Sequence, residues 1–451
     1  LTGLTVAIAA YASGAPAVPP DDLVPVIRSG FVDTLGTMLA GRHEPAVTML
    51  RAQVAERGGT AAEASVLLGG DRVYSADAAL INGTAGHALD YDDVALGGHP
   101  STVLVPALLA EAQRIGAGGA AAMAAYLVGY EVWAELIARD PDAHHAKGWH
   151  PTAVFGTVGA AAALASLHRL GQDQAMHAIA LAASLAGGLV ANFGTMTKPL
   201  HAGRAAASAV EAVRLAARGF TASPDALEHH AGFLAAISPH GRAVRDIATD
   251  ALGQTLRLRT SGLNIKRYPM CYATHRTIDA VLDLVAKHGL GPDDIAMVEA
   301  VIGDTQASML RNHDPRTGLE AKFSLEFAVA AALVARNVGL GELTDEFVSR
   351  PEVRAIFPKV GIKTTATRCP IDPTFAESDR IILRTVKGDV LDSGEVRFPR
   401  GNAMLPMSDD ELSRKFSDCT HGWNEGGALL EQLGRLERLK DLRMLGAAGQ
   451  A

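Results

Sequence analysis

Three dipeptides place a titratable or cationic side chain directly before a proline: His99-Pro100, His150-Pro151 and Lys198-Pro199. Each proline opens an apolar, alanine-rich run, and proline is well tolerated at a helix start, where its missing N–H would have no intrahelical partner. Each pair therefore predicts a helix start, with unpaired N–H groups and a partial positive charge facing outward, an arrangement that favours an anion. If the three starts converge, they form a pocket for a substrate carrying several carboxylates.

Other groups could complete such a pocket. Asp90-Tyr91-Asp92-Asp93 follows a predicted helix that begins near residue 77. The dipole at a helix C-terminus opposes each carboxylate by up to about 1 kcal/mol. A solvated acidic loop is one reading; the other makes Asp90 a base, or the orienter of one, with a raised pKa where it is desolvated. In Gly97-Gly98-His99-Pro100-Ser101 the glycines allow a close backbone approach to a ligand. His99 at a helix N-terminus is either a plain cap or a neutral acid or base. Gly148-Trp149-His150-Pro151-Thr152 sets a second histidine beside an aromatic wall that lowers the local dielectric.

The stretch from Gly194 to Arg204 gathers Thr195, Thr197, Lys198, His201 and Arg204 around one helix start. A charge-assisted hydrogen bond to a carboxylate is worth roughly 1.5–3 kcal/mol, so two or three suffice for micromolar to millimolar binding after ordering costs. Lys266-Arg267-Tyr268-Pro269 with Thr274-His275 is either a surface basic pair at a linker or a source of cations for the same pocket across an interdomain cleft. Cys271 reads as a small buried hydrophobe rather than a nucleophile.

Several chemistries fall away. His144, His145 and His150 match no standard zinc spacing, so no metal is expected. The three cysteines form no CxxC pair, which argues for a reducing, cytoplasmic setting and against an iron–sulfur cluster. No nucleophile elbow, phosphate loop or dinucleotide fingerprint occurs in a proper context. Forty-one Lys and Arg against 49 Asp and Glu give a net charge of −8, unsuited to a nucleic-acid partner, so attraction for an anion must be local.

The elements that must position these groups are mostly helices. Pro100 to Gly116, Pro151 to Gly171 and Pro199 to Gly219 each open with Pro and close at Gly, and small residues such as Ala160 to Ala163 let neighbouring helices approach closely. Leu1 to Ala17 ends in small residues, yet no Lys or Arg precedes Arg28, so a core helix is expected there rather than a signal peptide. The apolar run Ala117 to Ala138 contains Glu131 and Glu135 and suits the interior of a protein better than a membrane.

After about Leu263 the texture changes. A helix is predicted from Thr274, as cap, to His288, a strand over Met297 to Ile302, and a helix from the capping box Thr317/Glu320 to about Asn337. Arg380 to Val386 and Val390 to Phe398 flank Lys387-Gly388-Asp389 as a hairpin. Ser408 and Glu411 then form a capping box and the chain returns to helix. The predicted class is mainly α: a helical domain over 1–262, an α+β domain over 263–405, and C-terminal helices over 406–451 that pack back on the helical domain.

Taken together, Asp90-Tyr91-Asp92-Asp93, Gly98-His99-Pro100-Ser101, Gly148-Trp149-His150-Pro151-Thr152, the run Gly194 to His201, and Tyr268-Pro269 with Thr274-His275 resemble the MmgE/PrpD family in order along nearly the whole chain. That family includes 2-methylcitrate dehydratase, cis-aconitate decarboxylase and iminodisuccinate epimerase. The resemblance implies a large helical domain with a smaller α+β lid, a homodimer, and cofactor-independent chemistry on di- or tricarboxylates. In its decarboxylase branch it implies pocket residues at Asp90, His99, His150, Lys198 and Lys266 or Arg267; Thr197, His201, Arg204, Tyr268 and His275 are expected beside them as further substrate contacts. Val94 replaces the hydroxyl residue often found after the Asp-Asp pair, and a Tyr often found before the Asp-Pro step is replaced near Asn312. These departures weaken a decarboxylase assignment. Asp314 to Thr317, Ala321 to Ser324, and Arg414-Lys415-Phe416 with Asp418-Cys419-Thr420 are closer to the epimerase branch. The expectation is a lyase, first a dehydratase of a 2-hydroxy polycarboxylate, with an epimerase and then a decarboxylase as alternatives. From a different class, a non-catalytic carboxylate-binding homologue stands beside them.

Overall fold

The computed structural model describes residues 3–245 and 252–446. It is 55% helix and 9% strand, a mainly α protein with small sheets. The chain divides into two compact units, Leu1–Leu263 with Ser408–Ala451, and Asn264–Met407.

The helices of the first unit include α1 (Leu4–Gly14), α2 (Val24–Ala40), α3 (Pro45–Arg57), α4 (Ser75–Ala88), α5 (Ser101–Ile115), α6 (Gly119–Ile137), α7 (His144–Lys147), α8 (Pro151–Leu167), α9 (Gln172–Leu185) and α10 (Thr197–Ala217). A two-stranded antiparallel ribbon, β1 (Ala64–Ser65) and β2 (Arg72–Val73), precedes α4. Helix α8 is buried along nearly all its length, and α10 packs against α4, α5, α8 and α9. Small residues make this possible. A Cβ built on Gly203 of α10 would lie 2.1 Å from the Leu80 carbonyl oxygen, and one on Gly83 of α4 would lie 2.8 Å from the Gly203 Cα. The two backbones therefore touch, which holds the start of α10 against the end of α4.

Pro151 opens α8 with His150 as its N-cap residue, and Pro100 is the N-cap of α5, which stops at a left-handed Gly116. The third start differs from expectation. Helix α10 begins at Thr197, so Lys198 lies inside the first turn rather than before it. The first-turn N–H groups are unpaired in any helix, so Pro199 is tolerated there. Helix α8 likewise ends at Leu167, short of Gly171.

Two helical stretches, Asp21–His43 and Gly119–Ile137, are long and apolar enough to cross a membrane, yet 67% and 78% of those windows are buried inside the protein. Glu131 of α6 accepts from the backbone N–H groups of Arg257 and Leu258, a use that fits a core helix. The C-terminal helix Asp409–Cys419 has the expected Ser408/Glu411 capping box and packs on α2.

In the second unit, four strands, β3 (Ile295–Gly303), β4 (Val360–Thr365), β5 (Arg380–Thr385) and β6 (Val390–Asp392), form one sheet in the order β4-β3-β5-β6. Strand β3 runs parallel to β4 and antiparallel to β5, and the β5–β6 hairpin turns at Gly388, φ +95°. The helix His275–His288 buries Ile278, Val281, Leu284 and Val285 against β5 and the helix Leu325–Val334.

Two local expectations need correction. Thr274 stands at the N-cap position of His275–His288, but its hydroxyl donates to the Cys271 carbonyl instead of capping the helix. Thr317 caps only Gly318–Ala321, because Ser324 starts a separate helix by accepting from the Phe327 N–H. Glu320 reaches back to the Arg316 N–H, so it does not close the box on Thr317.

Candidate active site

Helix α4 ends at Ala88 and the chain turns into the acidic loop through Asp90, at φ +52°. That left-handed conformation is uncommon outside glycine, and aspartate tolerates it better than most residues. Asp90 is 4% exposed and accepts from Lys198 Nζ at 2.6 Å. Lys198 sits in the first turn of α10, where the helix dipole disfavours a cation, so Asp90 supplies the compensating charge. The Lys198 ammonium also lies 5.3 Å from the centre of the Phe193 ring.

His99 lies just before α5. Its Nδ1 is 2.8 Å from the Asp93 carbonyl oxygen and 3.2 Å from Asp92 Oδ2. A nitrogen facing two acceptors carries the proton, so the lone pair of the neutral ring is on Nε2. That Nε2 is 3.9 Å from Asp90 Oδ1, next to the Lys198 ion pair. A lone pair at that place can accept a proton beside a cation. Gly98 was expected to let a ligand approach; instead, a Cβ there would meet Trp133 at 2.9 Å and the Thr152 backbone nitrogen at 3.0 Å. The glycine seats the His99 turn against α6 and α8.

Asp92 is fully buried, and both its oxygens lie within 2.9 and 3.0 Å of His87 Nδ1. Burial drives His87 down to about 3, so its ring is neutral at neutral pH. Burial alone would raise Asp92, but the two imidazoles beside it bring its carboxyl below the usual carboxylate range.

Its neighbour Asp93 goes the other way, pushed well above that range by burial and by the nearby Asp33 carboxylate. Asp93 pairs with the Ser101 hydroxyl and backbone N–H at the start of α5, and Ser101 Oγ is 2.7 Å from the Tyr126 hydroxyl. Asp33 in α2 is itself paired with Lys415 Nζ at 2.6 Å. Lys415 also donates to the Tyr91 carbonyl at 2.7 Å and lies 3.9 Å above the Tyr91 ring.

On the other side, His150 Nδ1 and His201 Nδ1 are 3.1 Å apart, a hydrogen bond in which the two rings share one proton. Burial, aided by the Lys198 charge, holds His150 well below its ordinary pKa, and His201 is lowered for the same two reasons. The His150 ring stacks on that of His87 at 6.0 Å. The expected aromatic wall is supplied by Phe193, edge-on to His150 at 4.8 Å, rather than by Trp149.

The structure therefore brings together Asp90, His99, His150, Lys198 and His201. Thr197 opens α10, and its N–H donates to the Thr195 hydroxyl; Arg204 is exposed on the same helix. Lys266, Arg267, Tyr268 and His275 belong to the second unit. There Tyr268 donates to Asp279 at 2.6 Å, and the buried His275 ring packs against Tyr268 and Tyr272. Lys266 is 1% exposed. Asn312, in place of the missing tyrosine, spends its amide on the Glu320 carbonyl. Sequence reasoning missed His87 and Phe193, and had Lys415 only as part of a family motif, without its place at the acidic turn.

His144 turns edge-on to Phe155 and His145 faces Phe193, so that histidine run does not gather on one point. A different set, His87, Asp90, Asp92 and His99, offers four donor atoms within 4.8 Å of one another. A tetrahedral zinc site needs donors about 3.4 Å apart. Here both carboxylates already have nitrogen partners, and Lys198 supplies the positive charge. The donor set reads as a hydrogen-bonded network.

Residues 6–245 match the MmgE/PrpD N-terminal domain and residues 268–426 the MmgE/PrpD C-terminal domain. The chain belongs to the MmgE/PrpD family. Among its relatives is human cis-aconitate decarboxylase, 28% identical over 82% of this chain and 78% of that protein. The mouse enzyme of the same name is 30% identical over 75% of this chain and 70% of its own. A cis-aconitate decarboxylase-like protein of Aspergillus oryzae is 25% identical over 83% and 80%. Membership of the MmgE/PrpD family and kinship with these decarboxylases mark the chain as an enzyme of the lyase type.

Proposed function

We propose that this protein is a cofactor-independent lyase that moves a proton at a carbon next to a carboxylate of a small di- or tricarboxylate, first of all in the dehydration of a 2-hydroxy polycarboxylate. The observation that carries the reading is His99, its Nδ1 held by two acceptors and its Nε2 turned to the Asp90–Lys198 pair. A carbon next to a carboxylate is weakly acidic, so charge must be stabilised on that carboxylate as the proton leaves. His99 Nε2 takes the proton, and Lys198, released in part from Asp90, bears on the substrate carboxylate. The proton that His99 Nε2 has taken passes to the departing hydroxyl, which leaves as water with formation of a carbon–carbon double bond, and the neutral His150–His201 pair hydrogen-bonds that hydroxyl. Lys266 and Arg267 are proposed as substrate-binding cations on the strength of the family resemblance alone. A homodimer in a reducing cytoplasm belongs to the same reading.

Decarboxylation is the second reading, favoured by the names of the relatives. It uses the same cation and needs only a proton donor to the carbon that loses carbon dioxide. Proton NMR in deuterium oxide with citrate, methylcitrate, aconitate, tartrate and iminodisuccinate separates the cases. Loss of water supports dehydration, loss of carbon dioxide supports decarboxylation, and deuterium incorporation with neither loss supports epimerisation. If Lys198→Ala and His150→Ala both leave turnover of every accepted substrate intact, the assignment fails. Binding without turnover in the parent protein points to a carboxylate-binding homologue.

A further inference from the structure

The chemistry above uses His99 and His150 and leaves unassigned the two fully buried groups behind them. We propose that His87 is a positioning residue that acts through Asp92 to fix the ring orientation and tautomer of His99. This rests on the reading of His99 as the proton-moving group.

The geometry is that of a carboxylate held between two imidazoles. His87 Nδ1 meets both oxygens of Asp92, at 2.9 and 3.0 Å, and so donates to them; Asp92 Oδ2 in turn lies 3.2 Å from His99 Nδ1. The two rings stand 4.4 Å apart and inclined at 59°, so neither can swing without disturbing the carboxylate they share. Stacking of His87 on His150 at 6.0 Å places one side chain against both imidazoles of the proposed chemistry.

A packing role alone explains this residue poorly. His87 lies among small residues in the last turn of α4, and its Nε2 is buried with no hydrogen-bond partner among the described residues. Burying an unsatisfied polar atom is unfavourable, and an apolar ring of similar volume would fill the space without that cost. What an apolar ring cannot do is donate to Asp92. Without that donor the Asp92 carboxylate is free to rotate, and His99 Nδ1 loses one of the two acceptors that set its tautomer. A histidine protonated at Nε2 presents an N–H where the reaction needs a lone pair.

The test compares the full chain with His87→Phe and His87→Asn, labelled at the histidine nitrogens and read by nitrogen-15 NMR. The amide of asparagine can occupy the place of Nδ1 and donate to Asp92. The parent and His87→Asn are expected to show His99 protonated at Nδ1, and His87→Phe a mixture with the Nε2–H form. On whichever polycarboxylate is turned over, His87→Phe is expected to lower kcat by about tenfold to a hundredfold, the range for losing an orienting partner, with little change in KM. His87→Asn is expected to restore most of it. A folded His87→Phe protein with the parental tautomer and the parental kcat overturns the proposal. Should His87→Phe fail to fold, Asp92→Leu, which offers no acceptor to His99 Nδ1, is read in the same way, and an unchanged His99 tautomer there also overturns it. The NMR arm needs no substrate, so failure of the lyase reading, seen as turnover that survives His99→Gln, is told apart from failure of the positioning role.

Discussion

Replacing Lys198 by methionine keeps the length of the side chain and removes its charge. The ion pair it breaks is short, 2.6 Å, and both side chains are at least nine-tenths buried, at 7% and 5% exposure. Breaking a buried pair by removing one partner costs about 3–5 kcal/mol, because the charge left behind keeps its desolvation penalty without its Coulombic return. Asp90 is held in a left-handed backbone conformation at the end of α4 and cannot turn to solvent without unwinding that turn. We therefore expect Lys198→Met to lose about 3–5 kcal/mol, and Lys198→Met with Asp90→Asn to lose less than the sum of the single changes. Trp133, Trp149 and Trp423 all lie in the first unit, so urea unfolding followed by tryptophan fluorescence reads the unit that holds the pair. Single losses below about 1 kcal/mol that add without coupling would refute the claim that the pair is a buried unit, since that is how exposed ion pairs behave.

Two further expectations follow from the titrating groups. His87 is lowered to about 3, His145 to about 4 and His150 well below its ordinary value, all mainly by burial. The unfolded chain binds protons at these sites below about pH 6.5 while the folded chain does not, so their contribution to stability is complete above that pH and is lost as pH falls toward 4. Each contributes a slope of up to about 1.4 kcal/mol per pH unit; the raised Asp93 and Glu131 carboxyls oppose them, so urea midpoints measured from pH 7 to 5 should fall by less than the three slopes together, and midpoints that rise toward pH 5 would contradict the buried neutral state. Burial and Asp33 push Asp93 toward its neutral form, so Asp93→Asn, which keeps its shape, should cost less than about 1 kcal/mol, against several for Asp92→Asn, whose carboxyl the two rings hold below the usual range. Equal losses in the same unfolding measurement would reverse that assignment.

The helix starts and the residues they carry were legible because proline and its neighbours act locally. His99, His150 and Lys198 do mark helix beginnings, and they do meet. Their partners were hidden for the opposite reason. Lys198 and Asp90 are separated by 108 positions, and the packing of α4 on α10, with its close glycine contact, brings them together. His87 was overlooked because a lone histidine inside an alanine-rich helix carries no local signal; the acids that follow it were the clue. Strand β4 escaped because a parallel partner is set by a long crossover rather than by a turn. The helix expected from Thr317 to Asn337 broke at Ser324, a second cap whose competition with the first depends on tertiary packing.

Lys415 bears on the order in which this molecule can assemble. It stands in the stretch that follows the whole second unit, yet it pairs with Asp33 and grips the Tyr91 carbonyl within the first. A nascent chain that has emerged only as far as α10 contains every imidazole of the site but lacks the ammonium that anchors the acidic turn. That anchor is available only once translation has passed Lys415, so the candidate site is completed after most of the chain has been made.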